Sequence, residues 1–250
     1  MKIYSYNTPI YFQSNRRHYK AGPNKIDVGT QTDVNRDDLD FKRAARIIHN
    51  LYKDVPKVNF YCAACSDGSE SYTFDMHLRE NEPYKDASQK FFPIMATDVD
   101  PTILRCANSK RLNMTKQNLE SLKECGIDYK KYFTEYSDKM YIMNDHIDDR
   151  TSTYTVNDNI KNDIIFEQKS ILQQASEINR YRPNVFCCRN VLPYVGDDAE
   201  QVYYIRTIGN KLGKNDLFII GDFDRSLCNI KTLKFLGFSE IEHNIFIKRI

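Results

Sequence analysis

The sequence has no tryptophan, few glycines and almost no net charge. Its 250 residues hold nine glycines, and 36 basic side chains stand against 34 acidic ones. A formal charge of +2 creates no whole-molecule field that would draw in nucleic acid or an anionic lipid surface. No apolar run approaches the roughly eighteen residues of a membrane-spanning helix. The N-terminal segment carries Asn7, Gln13, Asn15, Arg16 and Arg17 and lacks the apolar stretch of a secretory signal. The few glycines do not form G-x-G-x-x-G. No lysine follows Gly68, so that turn is not a phosphate-binding loop.

What is present is 41% hydrophobic content with 12% aromatics, enough for a sizeable core and too much for disorder. There are seven cysteines, an odd number, at spacings unlike a secreted disulfide framework. Cys62, Cys65, Cys106, Cys187 and Cys188 lie in or beside apolar runs. They read as reduced, buried thiols of a cytoplasmic protein. Cys62 and Cys65 make a C-x-x-C, but adjacent Cys187 and Cys188 do not make the second knuckle of a zinc ribbon, so no metal is expected.

Residues 1–56 read as an extended polar arm followed by a helix over 37–53, where Phe41, Ala44, Ala45, Ile48 and Leu51 recur at helical spacing. From 57 onward strands alternate with helices. Runs at 58–64, 91–98, 163–166, 184–188 and 216–221 read as buried strands, and 238–241 with 244–248 as a closing antiparallel pair. Residues 110–160 are polar and rich in Lys, Asn, Asp and Tyr, and read as an inserted subdomain. Within it Met114–Cys125 looks helical, and 139–143 and 153–156 read as short strands. Alternation of this kind predicts an α/β fold with a mostly parallel sheet, whose ligand lies beyond the carboxyl ends of the strands.

Those ends carry distinctive residues. Cys65-Ser66-Asp67-Gly68-Ser69-Glu70 is a tight turn of small side chains with one acid. Asp98 ends the second strand, where an acid either accepts ribose hydroxyls or merely caps the helix opened by Pro101. With no phosphate-binding glycines, the pair suits a nucleoside without phosphates, such as S-adenosylmethionine (SAM), whose ammonium Glu70 could accept. Arg189-Asn190 follows a buried strand and needs a partner. The plainer alternative is a structural ion pair of Arg189 with Asp98 or Asp222. The five histidines show neither ligand nor triad spacing.

Together these blocks resemble the CheR-type chemotaxis-receptor glutamate methyltransferases. Residues 65–72 resemble their C-S-T-G-E-E-P-Y, residues 96–100 their A-T-D-I-D, and residues 186–194 their I-F-C-R-N-V-L-I-Y. Leu119–Phe133 resembles a short helix ending in R-Y-F. Residues 156–172 resemble V-x-x-x-L-x-x-x-V-x-F-x-x-x-N-L, and Asn7–Gln13 faintly echoes N-x-T-x-F-F-R.

The resemblance implies a class I SAM-dependent methyltransferase: a Rossmann-like, mostly parallel seven-stranded sheet with helices on both faces and a small inserted subdomain. It implies a cofactor site of Asn7, Ala64, Glu70, Asp98, Val99, Ser170, Ile171, Arg189 and Asn190, with Tyr194 at the transfer point. It also implies a protein or peptide substrate methylated on a glutamate carboxylate. Three departures stand out: Gln13 takes the place of an Arg, Ser170 that of an Asn, and the family's N-terminal helical domain has no counterpart. These leave two further readings open, an N-methyltransferase, because Asn190 to Tyr194 echoes N-P-P-Y, and a degenerate SAM-binding scaffold.

Overall fold

The computed structural model describes residues 26–27, 34–81, 83–136, 142–143 and 151–250. The N-terminal arm therefore lies almost wholly outside the described residues. The first helix, α1 (Phe41–Leu51), is capped by Asp40, whose side chain accepts the Arg43 N–H at 2.9 Å. Its apolar stripe of Phe41, Ala44, Ala45 and Ile48 is buried, as the spacing predicts.

Seven strands form the main sheet. In chain order they are β2 (Asn59–Ala63), β3 (Ile94–Asp98), β8 (Ile164–Gln168), β9 (Asn184–Cys188), β10 (Leu217–Ile219), β11 (Phe238–Glu242) and β12 (Ile245–Lys248). Their spatial order is β11-β12-β10-β9-β2-β3-β8. The run β10-β9-β2-β3-β8 is parallel throughout, and β12 joins β10 antiparallel, with β11 outermost. The central strands are buried on both faces and accordingly read as unbroken apolar runs rather than alternating ones.

Residue parity splits the core into two layers. Phe60, Cys62, Val185 and Cys187 face one layer with residues of α1 and α2 (Ser69–Arg79). Tyr61, Ala63, Phe186 and Cys188 face the other, with α5 (Ile171–Ser176), α7 (Asp198–Lys211) and α8 (Leu227–Phe235). This is the Rossmann-like methyltransferase arrangement that the sequence predicts, with helices on both faces of a mixed sheet.

The polar stretch holds a second sheet. After α3 (Pro101–Ser109), β4 (Arg111–Thr115) pairs antiparallel with β7 (Thr151–Val156), which pairs with β5 (Phe133–Tyr136). The expected helix from Met114 begins later, as α4 (Lys116–Glu124), because Met114 belongs to β4. Thr115 caps that helix by accepting the Asn118 N–H. Of the strand expected at 139–143, β6 (Ile142–Met143) is described and pairs with β1 (Ile26–Asp27); the rest lies outside the described residues. Among the described residues no helix is long and apolar enough to cross a membrane.

Candidate active site

The carboxyl ends of the parallel strands meet along one edge, and the backbone there is unusual. Ala64 (φ 54°) and Ser66 (φ 52°) follow β2 in left-handed conformations that non-glycine residues seldom adopt. Gly68 (φ 90°) then caps α2. A Cβ at Gly68 would lie 2.7 Å from the Phe166 ring, so the turn requires glycine for both conformation and space. The Ser66 N–H donates to Asp98 Oδ2 at 3.0 Å, and the Asp100 N–H donates to Oδ1 at 3.0 Å. Burial raises the pKa of the Asp98 carboxyl, and these backbone donors pull it back. The Ser66 hydroxyl oxygen is buried beside this acid with no hydrogen-bond partner among the described residues.

A second group centres on Arg189, at the end of β9. Its side chain is fully buried. One guanidinium nitrogen meets Glu70 Oε2 at 2.6 Å, another binds Asp38, and the guanidinium carbon lies 5.0 Å from the centre of the Phe41 ring. Burial opposes its charge, but the Glu70 and Asp38 carboxylates more than offset that, and the guanidinium is held charged. Asp38 also accepts from the Asn190 amide, joining consecutive residues of the strand end. Asn190 adopts φ 57°, and its Oδ1 accepts the Phe223 N–H at 3.2 Å. Asp224 fixes this turn by accepting the backbone N–H groups of Asn190, Val191, Leu192 and Gly221 at 2.5 to 3.0 Å.

Of the residues singled out in the sequence, Glu70, Arg189 and Asn190 come together in one hydrogen-bonded group. Asp98 lies one turn away, linked to the β2 loop through Ser66. Val99 follows it, 39% exposed. Ser170 caps α5, accepting the Gln173 N–H at 3.2 Å, and Ile171 is buried behind it. Lys169, the preceding residue, donates its N–H to the Asp98 carbonyl at 3.1 Å, so the two strand ends are adjacent. Tyr194 sits on α6 (Leu192–Val195), half exposed. Asn7 lies outside the described residues.

The structural partner expected for Arg189 is corrected. Neither Asp98 nor Asp222 pairs with it, because Asp98 is held by backbone amides and Asp222 binds His243 at 2.7 Å and Asn244. Asp38 and Asp224 hold this site together although the sequence does not mark them as site residues. Asp38 reads as one of several acids before a helix, and its partner is 151 residues away. Asp224 follows a strand end, which was a signal available for it.

A family model described as "CheR methyltransferase, SAM binding domain" matches residues 30–236. Solved structures with similar folds include the N-methyltransferase NodS from Bradyrhizobium japonicum WM9, at 12% identity and a TM-score of 0.40. That match covers 86% of this chain and 100% of that one. The magnesium protoporphyrin IX methyltransferase ChlM from Synechocystis PCC 6803, solved with bound SAM, matches at 12% identity and 0.38, over 82% of this chain and 76% of that one. Asn7 and Gln13 precede the matched stretch. The Thr-to-Arg spacing of N-x-T-x-F-F-R recurs within it at Thr32 and Arg36, and the Arg36 guanidinium lies 3.7 Å from Asp38. A match spanning residues 30–236 makes the chain a member of the CheR methyltransferase family, a SAM-dependent methyltransferase of Rossmann-like fold.

Proposed function

We propose that the chain methylates a side-chain carboxylate of a protein or peptide, with SAM lying across the ends of β2, β3, β8 and β9. The observation that carries this reading is Asp98, a buried carboxylate at the end of the second parallel strand. Each of its oxygens accepts one backbone N–H. A carboxylate has about four acceptor positions, so acceptor capacity remains for the ribose hydroxyls. The buried Ser66 hydroxyl beside it, unpartnered among the described residues, fits a polar ligand at the same place.

In this proposal Ala64, Val99, Ser170 and Ile171 wall the nucleoside. Glu70 accepts the methionine ammonium, and Arg189 and Asn190 hold Glu70 and the adjoining backbone in place. Arg36 takes the role of the family's arginine, so Gln13 is no longer a loss. Tyr194, beyond Asn190, borders the transfer point. Bound SAM supplies an electrophilic methyl group. The chain's residues orient the acceptor in line and exclude water. A carboxylate acceptor is already ionised at neutral pH, so no general base is required. The Asn190 amide favours this acceptor over an amine, since its oxygen serves Phe223 and its NH₂ serves Asp38.

Calorimetric titration with SAM tests the site. Asp98→Ala should weaken binding by about 100-fold, the loss of two hydrogen bonds to one carboxylate. Unchanged affinity would overturn the assignment. The acceptor is tested on the labelled product: a methyl ester is released in mild alkali, whereas an N-methyl group survives it.

A further inference from the structure

We infer that Cys62, Cys187 and Glu70 form a binding site for a soft divalent metal ion of the zinc or cadmium type, and that its occupancy withdraws Glu70 from the cofactor. The second half rests on the proposed contact of Glu70 with the methionine ammonium. The first half stands on geometry alone.

Cys62 and Cys187 are register partners on the adjacent strands β2 and β9. Both belong to the core layer that includes α1 and α2. Glu70, in the first turn of α2, overhangs them. The three candidate ligand atoms all lie within 4.8 Å of one another. Zinc bonds of about 2.3 Å to sulfur and 2.0–2.2 Å to oxygen give tetrahedral edges of about 3.5–3.8 Å, so the longer separations contract by at most about 1 Å while the Cys187–Glu70 edge widens by about 0.5 Å.

Glu70 divides its two oxygens in the way a ligand does. Oε1 faces Cys187 Sγ at 3.1 Å, while Oε2 is held by Arg189 at 2.6 Å. A ligating carboxylate with its second oxygen fixed by a neighbouring donor is the usual support of a metal site. Charge also balances. Two S–H bonds break, two metal–sulfur bonds form, and two protons leave to solvent, so a divalent ion replaces two protons without changing the charge of the site. Three protein ligands leave a fourth position for an exchangeable group. The C-x-x-C of the sequence is thus not the relevant pair: Cys62 finds its partner across the sheet rather than in Cys65.

The test titrates the full chain, kept reduced by a phosphine, with cadmium. One equivalent should bind with a thiolate-to-cadmium charge-transfer band and release two protons per ion, and zinc should displace it. Cys62→Ala and Cys187→Ala should each abolish the band, and Cys228→Ser, at the exposed thiol, should keep it. Glu70→Gln should retain the band and weaken binding about tenfold. A wild-type chain without stoichiometric binding or proton release overturns the site whatever the variants do, as does a full band in both alanine variants. One equivalent of zinc should weaken SAM binding about tenfold, the worth of one charged hydrogen bond. Equal SAM affinity with and without zinc overturns the coupling. Metal-free protein that fails to bind SAM instead overturns the proposed function and leaves the cadmium band to decide the metal site.

Discussion

Asp38 holds Arg189 and Asn190 with one carboxylate, and its carbonyl accepts from Asn244 at 3.2 Å. Removing that carboxylate strips one charge-assisted hydrogen bond from the buried guanidinium and one from the Asn190 amide, leaving Glu70 as the counter-ion of Arg189. Asp38→Ala should therefore cost about 3 kcal/mol in urea denaturation, and Asp38→Asn, which retains hydrogen bonding, clearly less. Both variants should weaken SAM binding, because Arg189 would no longer hold Glu70 in a fixed orientation. At this scale the sequence disclosed what lies directly after a strand: Glu70, Asp98, Arg189 and Asn190. It could not sort Asp38 from Asp40, two acids before one helix. One caps that helix and the other reaches a strand end 151 residues on. Only the folded chain separates those roles.

The turn between β2 and α2 depends on Gly68. An alanine there would sit at φ near 90° and press on Phe166. The backbone alone should cost about 1–2 kcal/mol, with more for displacing the ring. Gly68→Ala should lower the melting temperature, and SAM affinity should fall with it, since the same turn carries Ser66 and Glu70. The strand–turn–helix character of this segment was legible from its apolar run and small residues. In β4 only Leu112 and Met114 alternate inward, with polar side chains between them, in a segment of low apolar content. Period-two burial over so few residues is easily merged with a following helix. The pairing of β4 with β7, some forty residues later, has no local signature.

Two histidines tie stability of the whole molecule to pH. Burial pushes His77 down to about 4, and it lowers His49 as well. His77 stacks on Phe41 and contacts the Asn35 side chain at 2.7 Å. Between pH 6.5 and 4 the unfolded chain binds a proton at His77 that the folded chain refuses, so stability falls as pH drops through that window. His77 alone should account for about 3 kcal/mol of that loss. Urea midpoints measured at pH 7 and 4.5 should separate strongly in the wild type, and by less in His77→Gln.

The mostly parallel character of the sheet was legible because strands alternating with helices imply parallel crossover connections. The two-layer core follows from residue parity along β2 and β9. The left-handed residues at the strand ends have a consequence for engineering. Ala64 and Ser66 store backbone strain that glycine would relieve. Directed evolution for heat resistance alone should therefore accumulate glycine at these two positions. The variants so gained would melt later while their first binding turn became looser, a trade of activity against durability written into two φ angles.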